Sequence, residues 1–187
     1  MFQDNKNAVN FGVIIGVISI LMQILVYYLA PQLLGEFSFG IVTMLVSLGL
    51  YIVFILKMKK DAGEYWPFKT ALKAIFIMAL VSTVLTTVFN YVFYNFVEPN
   101  AYEKVNVFVT ESLENTYSKF GMSQDDIDSL IEQTSESMKS QFKPTILDSF
   151  RNVMIACIMQ FVLALIFAAI FKKNQPIIIE IDEDQIR

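Results

Sequence analysis

After a short polar segment, the chain contains the apolar stretch VNFGVIIGVISILMQILVYYLA at residues 9–30. This stretch has no charged side chain. At 1.5 Å per residue, a helix of this length is roughly 30 Å long, which matches the hydrocarbon thickness of a bilayer. It is too long for the apolar core of a secretory signal peptide, and no small-residue cleavage pattern follows it. The stretch therefore predicts a membrane-spanning helix that is retained.

Three more apolar stretches follow the first. The chain is 55% hydrophobic and only 17% charged, and its apolar residues are concentrated in these blocks. Lys69 and Lys73 lie in the first two turns of the third block, from which their long side chains can reach the headgroups. The predicted spans are residues 9–30, 37–56, 68–97 and 147–171. We therefore predict an all-α membrane protein whose residues 1–174 form a single four-helix transmembrane domain.

The segment between the third and fourth spans, residues 99–144, is polar and acidic but keeps a helical period. Apolar residues recur every three or four positions in its first half, at Tyr102, Val105, Val109, Leu113, Tyr117 and Phe120. Gly121 suits a helix end, and Ser123 with Asp126 resembles a capping box for a second helix. The second helix has its own stripe, at Ile127, Leu130, Ile131, Met138 and Phe142. The segment is therefore predicted to be a helical hairpin.

Lysines are concentrated near the span ends on one side of the predicted bundle. They lie before the first span, around the connection between the second and third spans, and after the fourth span, at Lys6, Lys57, Lys59, Lys60, Lys69, Lys73, Lys172 and Lys173. The connection between the first two spans has none. The long insert also has four, Lys104, Lys119, Lys139 and Lys143, but more numerous acids accompany them, and long translocated segments follow the charge rule less strictly. Because lysine-rich connections face the cytoplasm, we predict cytoplasmic N- and C-termini and an extracytoplasmic hairpin. Residues 175–187 are predicted to be a flexible, acidic cytoplasmic tail.

The composition argues against several classes of function. The chain has no histidine, so the commonest general base and the commonest transition-metal ligand are missing, and its single cysteine, Cys157, offers no cysteine-based metal cluster. Its net charge is -4 and it has no basic stripe, which argues against a nucleic-acid partner. The acids Asp125, Asp126 and Asp128 lack the order of a calcium-binding loop and suit the first turn of a helix. We therefore expect no enzyme activity, no metal site and no cofactor.

One face of the first span is built from small and polar residues. Gly12, Gly16, Ser19 and Gln23 follow one another at helical spacing, and the two glycines form the G-x-x-x-G pattern. Such a face allows two helix backbones to approach closely, with the glutamine bonding across the contact. The partner helix is either a neighbouring span of the same chain or the first span of a second copy. Both helix packing and a homo-oligomer are therefore consistent with this pattern.

A few polar side chains lie at membrane depth in the third and fourth spans, at Thr83, Thr86, Asn90 and Gln160. They either line a polar path or form hydrogen bonds between helices and back to their own helix. No ionisable residue accompanies them, which favours the second interpretation, because coupled carriers usually need one. The chain also lacks the repeats and broken helices that are usual in secondary transporters.

Four sequence motifs give the chain a resemblance to a known family. They are GEYWPFKTALK at residues 63–73, FNYVFYNFVEP at 89–99, GMSQDDID at 121–128 and AAIFKK at 168–173. In this order and spacing they resemble the bacterial family called domain of unknown function 4199, found mainly in Bacteroidota. The resemblance covers nearly the whole chain except the acidic tail. It implies a four-span inner-membrane protein with an extracytoplasmic helical insert, and it implies no activity or catalytic residue.

The hairpin is the part to which the sequence points most directly for function. Its apolar stripes can pack on each other, on the bilayer or on a protein partner in the cell envelope. The candidate partner surface consists of Tyr102, Val105, Val109, Leu113, Leu130 and Ile131. We therefore expect a non-enzymatic interaction or accessory protein, and the alternative is a small oligomeric transporter or channel.

Overall fold

The computed structural model describes residues 2–35 and 37–174, so the predicted acidic tail lies outside the described residues. Nearly all of the described chain is helical. The α-helices are α1 (Phe2–Leu29), α2 (Phe37–Asp61), α3 (Phe68–Val92), α4 (Ala101–Lys119), α5 (Gln124–Phe142) and α6 (Ile146–Phe171). A 3-10 turn, Pro31–Gly35, joins α1 to α2, and a π-helical turn, Phe93–Val97, extends α3.

Four of these helices are long and apolar enough to cross a membrane. The segments are Asn5–Leu29 in α1, Ser38–Asp61 in α2, Phe68–Val97 in α3 with its π-helical turn, and Ile146–Phe171 in α6. The prediction of an all-α protein with four helices that are long and apolar enough to span a membrane is therefore confirmed. The remaining two helices, α4 and α5, form the predicted hairpin between the third and fourth spans.

Local sequence explains where the later helices begin. Thr145 caps α6 through a reciprocal pair, in which Asp148 N donates to Thr145 Oγ1 (3.0 Å) and Thr145 N donates to Asp148 Oδ2 (3.1 Å). Ser123 caps α5, where its Oγ accepts from Asp126 N (3.4 Å) and donates to Asp126 Oδ2 (2.5 Å). Gly121 has φ = +75°, which lets the chain turn sharply between α4 and α5.

The third span is the centre of the bundle. α3 packs along α1 on one side and along α6 on the other. α2 joins the same core only through its second half, where Ile55 and Met58 are buried and Tyr51 and Phe54 pack against the cluster. Its first half exposes large apolar side chains such as Met44, as expected for a helix surrounded by lipid. The bundle is therefore a layer of α1, α3 and α6 with α2 attached across it.

One end of the bundle brings together the start of α1 and the end of α6, and we call it the terminal end. Trp66, only 1% exposed, donates its backbone N–H to Lys173 O (2.8 Å) and accepts from Lys173 N (2.9 Å). Asn7 Nδ2 lies 3.3 Å from Asp61 Oδ2. These contacts place the start of α1, the end of α2, the start of α3 and the end of α6 at the same end. The hairpin lies at the opposite end, called the hairpin end.

Candidate functional site

A second hydrophobic cluster fixes the hairpin to the membrane-spanning helices. Its buried members come from α1, the π-helical turn, α4 and α5, and they are Tyr27, Phe93, Tyr94, Ala101, Val105, Met138 and Phe142. The rings of Tyr94 and Phe142 lie with centroids 4.9 Å apart in an edge-to-face arrangement. Because this cluster contains side chains from both hairpin helices and from two spans, the hairpin packs directly on the bundle.

Glu98, directly after the third span, accepts three hydrogen bonds at the hairpin end. Tyr28 Oη (2.8 Å), Lys104 Nζ (2.9 Å) and Tyr27 Oη (3.0 Å) all donate to its carboxylate. The hydrogen bond from Lys104, followed by those from the two tyrosines, lowers the pKa of Glu98 below its ordinary value. The same contact with Glu98, followed by that with Tyr27, raises the pKa of Lys104. We call these four residues the Glu98 cluster; it connects the end of α1 to the start of α4.

Sequence reasoning missed the Glu98 cluster. The pattern places Tyr27 and Tyr28 in the first predicted span and Glu98 in the motif at residues 89–99, and it gives no reason to group them. One signal could have indicated it. Spans one and three run in the same direction, so their last turns meet at the same end of the bundle, where a lone acid and hydroxyl groups can pair.

The stripes of the hairpin face inward except at Phe120, the last residue of the first stripe, which is exposed. Val105 and Ile127 are buried, whereas Tyr102, Val109, Leu113, Leu130 and Ile131 are half-buried. Polar contacts add to this packing, because Ser135 Oγ donates to Asn106 Oδ1 (2.9 Å) and Lys143 Nζ lies 2.7 Å from Glu103 Oε1. Much of the candidate partner surface is thus used to hold the two hairpin helices together. The large apolar side chains that the hairpin exposes are Val107, Phe120 and Met122.

The glycine face of α1 lies against α3. A Cβ at Gly12 would lie 2.5 Å from Met78 O and 2.9 Å from Val81 Cβ, and a Cβ at Gly16 would lie 2.8 Å from Leu85 Cδ2. At Gly12 the close atom is a backbone oxygen, so only glycine permits this approach, whereas at Gly16 it is the end of the flexible Leu85 side chain. Further along the same face, Gln23 Nε2 donates to Tyr94 Oη (2.8 Å). The packing of α1 within the same chain therefore occupies the two glycines, and they are not available to a second copy.

The polar side chains at membrane depth are partly used in hydrogen bonds. Gln160 Nε2 on α6 donates to Thr83 Oγ1 on α3, and Thr86 Oγ1 lies 3.0 Å from the carbonyl oxygens of Ser82 and Thr83 on its own helix. Within the described part of the chain, two buried amide oxygens have no hydrogen-bond partner, Asn90 Oδ1 and Gln160 Oε1. These two atoms are the unsatisfied polar groups of the predicted intramembrane set.

Two cavities flank α2 where it stands away from α3. The α1-side cavity, about 280 Å³, is enclosed by α1, α2, α3 and α5; its lining residues include Ser19, Gln23, Asn90 and Tyr94. The α6-side cavity, about 240 Å³, lies between α2, α3 and α6 and is lined by Gln160 and by apolar side chains such as Phe167. Ser47 lines both. The two unpartnered amides therefore belong to residues that line cavities on opposite sides of α2.

Comparison with protein families shows to which family the chain is related. The model of the family described as protein of unknown function DUF4199 matches residues 10–173. The chain belongs to this family. It matches no curated protein and no solved structure.

The four motifs that carried the resemblance lie at both ends of this DUF4199 protein. Residues 63–73 contain Trp66, which bridges to Lys173 in the last motif at the terminal end. Residues 89–99 contain the π-helical turn and Glu98, at the hairpin end. The motifs thus include contacts between helices that are distant in the sequence.

Proposed function

We propose that this DUF4199 protein is a non-enzymatic interaction or accessory protein of the bacterial cell envelope, and that its hairpin binds the partner. The observation that carries the proposal is the attachment of the hairpin: the Glu98 cluster and the second hydrophobic cluster hold it on the bundle. A fixed hairpin can present a binding surface without the ordering cost that a flexible loop would incur. Phe120 at its tip is 81% exposed, and aromatic side chains of this kind are common anchors at interfaces.

The proposed location is the bacterial inner membrane, in a member of the Bacteroidota, with both termini in the cytoplasm. The lysines around the terminal end support this orientation, because lysine-rich connections stay on the cytoplasmic side. The hairpin would then lie outside the cytoplasm, where its acidic outer faces are solvated and its tip meets other envelope proteins.

The test is photocrosslinking from the hairpin tip in native membranes. A photoreactive phenylalanine analogue at position 120 is expected to capture one main protein, whereas the same analogue at Val107, near the bundle, captures less. Phe120→Asp should abolish co-purification of that protein. Ser118→Asp, which adds the same charge at an exposed neighbouring position, is the control. Unchanged co-purification with Phe120→Asp would refute the proposed surface.

The second candidate is a small oligomeric transporter or channel, and the two cavities beside α2 favour it. Asn90 lines the α1-side cavity with an unpartnered amide oxygen, which is the kind of group that contacts a polar solute. This candidate predicts solute flux in reconstituted liposomes that Asn90→Leu reduces. Val88→Leu, at an exposed position on the same helix, should leave the flux unchanged.

A further inference from the structure

The α1-side cavity has the location of a ligand site within the membrane. It lies between spans, and its volume of about 280 Å³ is near the lower end of the roughly 300 Å³ and above that is usual for ligand pockets. The first half of α2 forms one wall, and its outward-facing apolar side chains are exposed. A ligand could therefore enter from the bilayer. The volume suits one acyl chain with a small head better than a whole phospholipid.

Two of the polar residues that line the cavity have hydrogen-bonding groups that are not fully used: Asn90, near the end of α3, and Tyr94, in the π-helical turn that follows it. Asn90 and Tyr94 are four residues apart and so lie on the same helix face. Asn90 Oδ1 is buried without a hydrogen-bond partner in the described structure. Tyr94 Oη accepts from Gln23, and among the described contacts its own hydroxyl hydrogen has no acceptor. The lining therefore offers one unused acceptor and one unused donor on residues four apart in one helical segment, which is what a ligand hydroxyl group can use.

The charge of the lining restricts the ligand further. Among the described residues that line this cavity, none is Asp, Glu, Lys or Arg. A phosphate or carboxylate at this depth would be buried without a counter-charge, which is strongly unfavourable. The other walls combine apolar side chains such as Met22, Val26, Leu50 and Phe142 with uncharged polar ones, which are Ser19, Gln23, Thr43, Ser47 and Gln141. An uncharged, hydroxyl-bearing head fits the uncharged polar side chains of the lining, and a hydrocarbon chain fits the apolar ones.

We propose that the α1-side cavity binds an uncharged single-chain amphiphile from the membrane, with its hydroxyl group hydrogen-bonded to Asn90 Oδ1 and Tyr94 Oη. The acyl chain lies between α1 and α2. Asn90 is about two helical turns, roughly 10 Å, before Val97, where the third span ends, so the head lies below the membrane surface at the hairpin end. This proposal goes beyond the partner-binding function and does not depend on it.

The test uses the full chain reconstituted in vesicles of phosphatidylethanolamine and phosphatidylglycerol. The probe is a monoacylglycerol with a photoreactive diazirine in its chain, and a lysophosphatidylglycerol with the same chain is the charged comparison. The monoacylglycerol should label residues lining the cavity on α1 and α2, and unlabelled monoacylglycerol should compete. Asn90→Leu should lower labelling about five- to tenfold, the usual consequence of losing one hydrogen bond to a buried group.

Two further variants separate binding from folding. Ser47→Phe places an aromatic ring in the cavity and should also lower labelling, whereas Gly49→Phe, on the same helix with no atom near its Cβ position, should not. If Asn90→Leu fails to fold, two results still test whether the cavity binds the probe. They are the competition by unlabelled monoacylglycerol in the wild-type protein and the difference in labelling between Ser47→Phe and Gly49→Phe. Labelling spread over lipid-facing positions such as Val88, or equal labelling by the charged probe, would overturn the proposal. Its failure would leave the crosslinking result at Phe120 unaffected.

Discussion

Glu98 is a single side chain on which the attachment of the hairpin depends. Its carboxylate receives two tyrosine hydroxyls from the end of α1 and the ammonium group of Lys104 from α4. Hydrogen bonds to an ionised acceptor are stronger than those between neutral groups, and the donors come from different helices. Removing the charge of Glu98 therefore weakens several contacts between α1 and the hairpin at once.

The attachment of the hairpin should depend on pH. Because the pKa of Glu98 in the folded protein is below the reference value of 4.5, its stabilising contribution is fully present above pH 4.5 and is lost as the pH falls through the folded-state pKa. Glu103, whose pKa Lys143 lowers, loses its contribution over the same range. Protease cleavage of the hairpin in detergent should thus increase on acidification.

The variant Glu98→Gln isolates the role of this carboxylate. It should make the hairpin more sensitive to protease near pH 7. The further increase in cleavage on acidification should be smaller than in the wild type. Glu114→Gln, at an exposed position of α4, provides the control. Identical cleavage profiles for Glu98→Gln and wild type would show that the Glu98 cluster does not hold the hairpin.

Two glycines in different surroundings test the packing of α1 on α3. Gly12→Ala should destabilise the protein by about 1–3 kcal/mol, because the added Cβ would meet Met78 O at 2.5 Å and the backbone must shift. Gly49→Ala has no atom within 4 Å of the new Cβ and should be neutral or stabilising by about 0.5–1 kcal/mol. Unfolding in mixed detergent micelles measures both. Equal effects of the two substitutions would contradict the close approach.

At the level of elements, the sequence was a reliable guide to what each helix is. Long uncharged blocks predicted the spans. The recurrence of apolar residues every three or four positions, in the stripe that contains Val105 and in the one that contains Ile127, predicted two amphipathic helices that are present as α4 and α5. The same pattern could not tell which surface covers each stripe, because a period of three or four is the same whether the neighbour is α5, the bilayer or another protein. The Glu98 cluster and the cavities depend on how helices distant in sequence approach one another.

Val105 and Val107, two residues apart on α4, test the interior of the hairpin. Val105 is 1% exposed and Val107 is 55% exposed. Val105→Glu would bury a carboxylate and should unfold the hairpin locally, at a cost of several kcal/mol, about 3 or more. Val107→Glu should have little effect. Proteolysis between residues 101 and 142 and circular dichroism distinguish the two, and equal resistance would contradict the packing of α4 on its neighbours.

For the molecule as a whole, α3 is the element on which the others depend. It contacts α1 and α6 along its length and continues through the π-helical turn into the hairpin. α2, by contrast, leaves a cavity on each side where its first half stands apart. This arrangement combines a firm layer of three helices with a fourth helix whose first half has few neighbours. A shift confined to the first half of α2 would therefore disrupt little of the core, whereas its second half, with Ile55 and Met58 buried, is part of that core.

The orientation of the whole molecule can be tested with single cysteines in a Cys157→Ala background. The lysines at the terminal end predict that this end is cytoplasmic and that the hairpin is outside. Ser118→Cys, exposed on the hairpin, should react with a membrane-impermeant maleimide in cells whose outer envelope has been made permeable. Lys60→Cys, exposed at the terminal end, should react only after the inner membrane is also opened. The reverse pattern would place the hairpin in the cytoplasm, so that its proposed partner would have to be a cytoplasmic protein.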